Sequence, residues 1–187
     1  MSRFVRLTLA VLALCIVLPA AAQAQRPAKP WLVEISGAYV IPSGDYAAFV
    51  KNGWGAGAFV GYSINPQFVV AANFNVGWLE GETCLSPLCR DFTNYGYFAM
   101  VGYNGAAGMS KGDAYVLFGA GGVTFSPKDG ESNTNFALNG GVRTYFYLSP
   151  SIAFAIDLMA VVAFTPADTF TGTTWFFPLG VGLAFKF

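Results

Sequence analysis

Residues 174–187 read TWFFPLGVGLAFKF. Trp175, Phe177, Leu179, Val181, Leu183, Phe185 and Phe187 take every second position, and Gly180, Gly182, Ala184 and Lys186 stand between them. A period of two marks a β-strand whose faces meet different surroundings. Here the bulky face is wholly apolar, while the single charge shares the other face with glycine and alanine. A half-buried strand of a water-soluble sheet hides its apolar side and shows a polar one. The fold therefore turns on where so broad an apolar face can go.

Turn-forming residues cut the preceding chain into seven further segments: 31–41, 54–64, 67–79, 92–103, 114–125, 134–147 and 152–164. Each reaches the roughly 9 to 11 residues that a tilted membrane strand needs. In 152–164, Ile152, Phe154, Ile156, Leu158, Val162 and Phe164 oppose Ala153, Ala155, Asp157, Met159 and Ala163. In 67–79, Phe68, Val70, Ala72, Phe74, Val76 and Trp78 oppose Gln67, Asn73 and Asn75. Segments 54–64 and 114–125 hold so much glycine that the pattern specifies their faces poorly. Links alternate as well: 64–67 and 148–151 are tight, whereas 42–53, 80–91, 126–133 and 165–173 are long, and only 104–113 exceeds its class.

The first residues set the compartment. Arg3 and Arg6 precede an apolar run over 7–18, and Ala22 and Ala24 form an A-x-A site. This is the pattern of a secretory signal peptide, residues 1–24, cut after Ala24. The run is too short for a spanning helix of about 20 residues. Cys15 follows Leu14, where lipidation requires a small residue, so no lipid anchor is expected. Residues 25–30 form a short lead. The chain is 55% apolar and 17% aromatic but only 11% charged, and glycine or polar residues interrupt every later apolar run. Without spanning helices, only a closed barrel satisfies all backbone groups in lipid. The expected fold is all-β, an eight-stranded antiparallel up-and-down transmembrane barrel over residues 31–187.

Charge placement decides which face is outside. Without Arg3 and Arg6 the chain carries 8 basic and 10 acidic residues, and only Glu34, Arg143, Asp157 and Lys186 fall within the eight segments. A soluble barrel would need charged outer faces. The apolar face is therefore expected in lipid and the small, polar face in the lumen. Trp31, Trp54, Trp78 and Trp175 lie near segment ends, as an interfacial aromatic girdle requires. With an even strand number both termini share one side, which places tight turns in the periplasm and long links outside the cell. A net charge near −2 leaves no basic field for nucleic acid.

GAYVIPSGDYA, the hairpin GWGAGAFVGYSINPQF, the stretch GGVRTYFYLSPSIAFAIDL and the terminal phenylalanine resemble small outer-membrane β-barrel proteins of Gram-negative bacteria, of the OmpA-like, OmpX-like and OmpW-like eight-stranded kind. The resemblance implies a monomer in contact with outer-membrane lipid and lipopolysaccharide. It also implies that Phe177, Leu179, Val181, Leu183, Phe185 and Phe187 form the signal read by the barrel-assembly machinery. The family shares a fold more than a function. Its enzymes resemble one another in needing an active-site histidine, and this chain has none; carboxylate general-base chemistry stays formally open. No catalysis and no cofactor are expected.

Three groups of residues remain as candidates. Arg143 and Asp157 flank the turn at 148–151 symmetrically, so antiparallel pairing sets them opposite each other in the lumen. Glu34, from the strand that must close on the last one, can join them in a network that either gates solutes or fills a narrow lumen. Cys84 and Cys89, in GETCLSPLCRD, suit a structural disulfide in an oxidising compartment; two thiols without histidine make a poor metal site. Asp45, Tyr46, Phe49, Lys51, Glu80, Glu82, Lys128, Asp129, Glu131 and Asp168 sit in links facing outward, where an external partner would meet them. Three functional readings follow: a structural barrel or narrow passive pore, an OmpW-like conduit for small apolar molecules past Leu79, Phe98, Met100 and Met159, or a surface interaction protein acting through its loops.

Overall fold

The structure, a computed structural model, describes residues 29–82, 90–107, 109, 111–165 and 172–187. The expected signal peptide, the pair Cys84 and Cys89, and Asp168 lie outside these residues. Eight strands follow in chain order: β1 Trp31–Ser43, β2 Gly53–Ser63, β3 Phe68–Leu79, β4 Phe92–Asn104, β5 Gly112–Pro127, β6 Asn133–Ser149, β7 Ile152–Ala163 and β8 Thr174–Lys186. Each pairs antiparallel with the next, and β8 pairs with β1 to close the barrel.

Register fixes the barrel's width. From Val33 the cross-strand partners run through Val60, Ala72, Ala99, Ala120, Leu138, Val162 and Trp175 and return to β1 at Ser43, ten residues further along. With eight strands and standard strand spacings, that displacement corresponds to a tilt of about 40°. A barrel of this size has an interior just wide enough for its own side chains.

The alternation holds around the ring. On β8, Trp175, Leu179, Val181, Leu183 and Phe185 point outward, whereas Phe176, Gly180 and Ala184 are buried within. On β7 the outward set is Ile152, Phe154, Ile156 and Leu158, and Ala153, Ala155, Asp157 and Met159 point inward. The two glycine-rich strands are resolved by their bulkiest members. Phe59 of β2 lies inside while Trp54 and Val60 lie outside; on β5, Leu117 and Val123 lie inside while Val116 and Phe118 lie outside. Gly122, on the outer face, pairs with Tyr97, and a Cβ there would come within 2.7 Å of the tyrosine ring. The glycine lets the aromatic ring lie flat across the ladder.

Two expectations need correction. Asp113 belongs to β5, which begins at Gly112, so a fifth charge sits within the strands. Its neighbours Gly112 and Ala114 carry no bulk, and sequence pattern therefore hid the first turn of the strand. The link after β1 is also more than an open loop. Gly44, at φ +66°, turns the chain into a short 3-10 helix, Gly44–Ala48, a left-handed conformation that a glycine adopts at little cost.

The closing seam extends beyond the named strands. Trp31 N–H donates to the Phe187 carbonyl at 2.9 Å, and Phe187 N–H donates to the Trp31 carbonyl at 3.0 Å. The last residue is thus a full rung of the ladder. Deleting Phe187 removes both bonds and is expected to cost about 1–3 kcal/mol, read as an earlier denaturant midpoint of the refolded barrel. An unchanged midpoint would show that the seam does not depend on this rung.

Candidate functional site

The lumen contains the chemistry, in three side-chain clusters along its length. At the end holding the termini, Asp113 sits under the side chains of Lys186, Tyr147, Asn104 and Tyr115. Lys186 Nζ lies 3.2 Å from Asp113 Oδ2 and donates to Tyr147 Oη at 2.9 Å. Asn104 Nδ2 donates to Asp113 Oδ1 at 2.7 Å, and the hydroxyl groups of Tyr147 and Tyr115 donate to Oδ2. Lys186 also lies over the Tyr147 ring, 5.2 Å from its centroid.

Further along β6, Tyr145 and Arg143 reach the second cluster. Arg143 and Asp157 are direct cross-strand partners, with Arg143 Nε 2.7 Å from Asp157 Oδ1. Arg143 Nη1 lies 3.5 Å from Glu34 Oε2, and the Tyr145 hydroxyl donates to the same carboxylate oxygen at 2.8 Å. The guanidinium stacks on Phe59, 4.3 Å from the ring centroid, a cation–π contact that is stronger where water is excluded. Glu34 is 0% exposed and Arg143 4%. Two carboxylates thus share one guanidinium, and the Tyr145 hydroxyl supplies a further donor to Glu34.

The third cluster closes the end that carries the long links. Tyr46, from the 3-10 helix, is 0% exposed and packs edge-on against Phe92 and Phe125, with ring centroids 6.1 and 5.6 Å away. Asn94 Nδ2 donates to its hydroxyl oxygen at 3.0 Å, and the hydroxyl lies 3.3 Å from Asn94 Oδ1. Burial pushes the Tyr46 phenol's pKa up, against a smaller lowering by the Asn94 contact, so the ring enters as a neutral group. Above it the links extend the β2–β3 ladder: Lys51 N–H donates to the Glu80 carbonyl at 2.8 Å, Val50 bridges Gly81, and Glu82 N–H donates to the Phe49 carbonyl at 2.8 Å.

Tyr46 is therefore not an outward contact residue: its ring is a stopper in the barrel mouth. Phe49 is half-buried beside the same core. Of the other link residues, Lys51, Glu80, Lys128, Asp129 and Glu131 are exposed and Glu82 is half-buried. Lys128 pairs with Asp91 at 3.7 Å across the rim, and Arg90 Nη1 donates to the Asp129 carbonyl at 3.3 Å. Leu79, Phe98, Met100 and Met159 are buried inside the barrel and fill it. Two small internal spaces, about 30 Å³ beside Asn139, Arg143 and Asp157 and about 20 Å³ beside Asn94 and Phe176, each have room for no more than a water or two.

Comparison with known proteins agrees with this architecture. The profile described as "Outer membrane protein beta-barrel domain" matches residues 9–187, and the chain belongs to that family. Three solved structures share the fold at low sequence identity. Neisserial surface protein A is 14% identical, with a TM-score of 0.61 over 84% of this chain and 97% of its own. OprG of Pseudomonas aeruginosa is 12% identical, with a TM-score of 0.62 over 87% of this chain and 97% of its own. Ail, the attachment invasion locus protein of Yersinia pestis, is 20% identical, with a TM-score of 0.52 over 85% and 99%. No curated protein matches the sequence.

Buried ions held this closely make a sharp stability test. Arg143→Met leaves Glu34 and Asp157 without their cation and is expected to cost about 3–5 kcal/mol, whereas adding Glu34→Gln and Asp157→Asn to it should recover most of that loss. Denaturant unfolding of the refolded variants decides. Equal stability of the single and triple variants would mean that the three groups do not act as one unit.

Proposed function

We propose that this chain is exported by its signal peptide, assembles through its Phe187-terminated strand and serves as a monomeric, non-enzymatic wall element of the outer membrane with a closed lumen. The observation that carries this reading is the stopper of Tyr46 above two layers of lumen ion pairs. A passive pore needs a continuous water path, and side chains occupy the line of it. On this reading the end with both termini faces the periplasm, and the Tyr46 end faces the exterior. The charge network then fills and rigidifies the lumen: each ion is paired, and a low-dielectric interior would penalise an unpaired one.

Planar-bilayer recording separates wall from pore. The closed barrel is expected to give no sustained conductance steps across the voltage range that the bilayer tolerates. Steady openings from the intact protein would contradict it.

One observation favours a second reading, the sideways conduit for a small apolar molecule. Between β7 and β8 the pairing passes from Leu158 with Leu179 to Val161 with Phe176, and Met159 and Ala160 have no cross-strand partner on β8. Pro178 faces this gap. It has no N–H to donate, so it removes one rung at membrane depth. If the gap is an exit, Pro178→Val, which restores a donor, should slow delivery of a small apolar fluorophore from outside into proteoliposomes to the protein-free rate. Transport unchanged by the substitution, or absent from the wild type, removes the conduit.

A further inference from the structure

At the rim of β1 to β4 the barrel carries a concavity of about 730 Å³. Its floor is a cross-strand aromatic row: Tyr39 pairs with Trp54, and Trp54 pairs with Trp78. The Tyr39 and Trp54 rings meet edge to face at 5.2 Å, and Trp54 and Trp78 are 69% and 52% exposed. Above this row the lining turns polar, with Asn52, Glu80, Asp91 and Lys128. An aromatic girdle alone accounts for tryptophans at this height. It does not account for a cleft with a polar wall directly over them.

That combination has a chemistry. A pyranose ring offers an apolar C–H face that rests on an indole, and an edge of hydroxyl groups that hydrogen-bond to amides and carboxylates. The floor supplies the first kind of surface and the wall supplies the second, with Asp91 held in place by Lys128 at 3.7 Å and by the Gly81 N–H at 3.1 Å. Directly below, the outward face of the same strands is apolar, with Ala56, Phe74 and Val76. An occupant therefore meets a sugar-binding wall and acyl-compatible surface at adjoining heights. We infer that this cleft binds a hexose headgroup of an outer-leaflet glycolipid, its acyl chains lying along β2 and β3 below. The inference rests on the outward orientation of this rim, not on whether the lumen is closed.

The test uses the intact barrel, loaded with purified rough lipopolysaccharide and carried through detergent exchange, with retained glycolipid counted by native mass spectrometry. Trp78→Ala and Asn52→Ala are each expected to lower retention at least fivefold with the heat-modifiable folded band unchanged. Trp175→Ala, which removes a rim tryptophan outside the cleft, should leave retention at the wild-type level. Equal losses at Trp78 and Trp175 would reduce the row to an ordinary girdle and overturn the inference. Equal retention of phosphatidylglycerol, or equally tight binding of the free core oligosaccharide, would also overturn it, the first by removing the sugar and the second by removing the membrane. Bilayer conductance is indifferent to all of these outcomes, so failure here leaves the closed wall standing.

Discussion

A backbone placed in hydrocarbon has no water to bond with, and that constraint governs the molecule. Every N–H and C=O in the membrane zone must find a partner in another strand, and the sheet must close so that no edge remains. Trp31 and Phe187 meet this demand at the last rung, each donating to the other. Pro178 is the conspicuous exception, tolerated where β7 and β8 have rungs on either side of it.

Closure then dictates the two surfaces. Because the side-chain period is two, the choice of lipid outside forces the other residues of every strand into a narrow tube. Eight strands with a ten-residue displacement leave room for side chains and little else. Large residues such as Phe59, Phe98, Tyr115 and Tyr145 fill the tube, so the lumen is not the small, polar channel that the last strand alone implies. Ions enter it only in compensated groups: Arg143 with Glu34 and Asp157, and Lys186 with Asp113. Tyr46 completes the filling from the rim.

Legibility in the sequence followed the strength of the local pattern. Strands β3, β7 and β8 announce themselves because bulky and small residues alternate without interruption. The pairing of Arg143 with Asp157 was readable because both lie on strands joined by a short turn, where register is nearly fixed by counting. Asp113 was not readable, since glycine and alanine beside it mask the start of β5 and its partner Lys186 lies 73 residues away. Tyr46 is hidden for a related reason: a tyrosine after Gly44 and Asp45 fits a solvated link as well as a stopper, and only the closed ring shows that Phe92, Asn94 and Phe125 converge on it. Closure brings together residues whose sequence separation carries no signal, and the lumen clusters are made largely of such residues.

Which face meets lipid is the claim beneath all the others, and methyl NMR of the barrel in lipid nanodiscs tests it most directly. Ile35, Val116, Leu158 and Val181 point outward, whereas Val69, Leu117 and Val161 point into the lumen. Contacts to lipid acyl protons from the first set and none from the second are the expected result. Acyl contacts from the second set, or water contacts along the first, would contradict the fold's assignment of inside and outside.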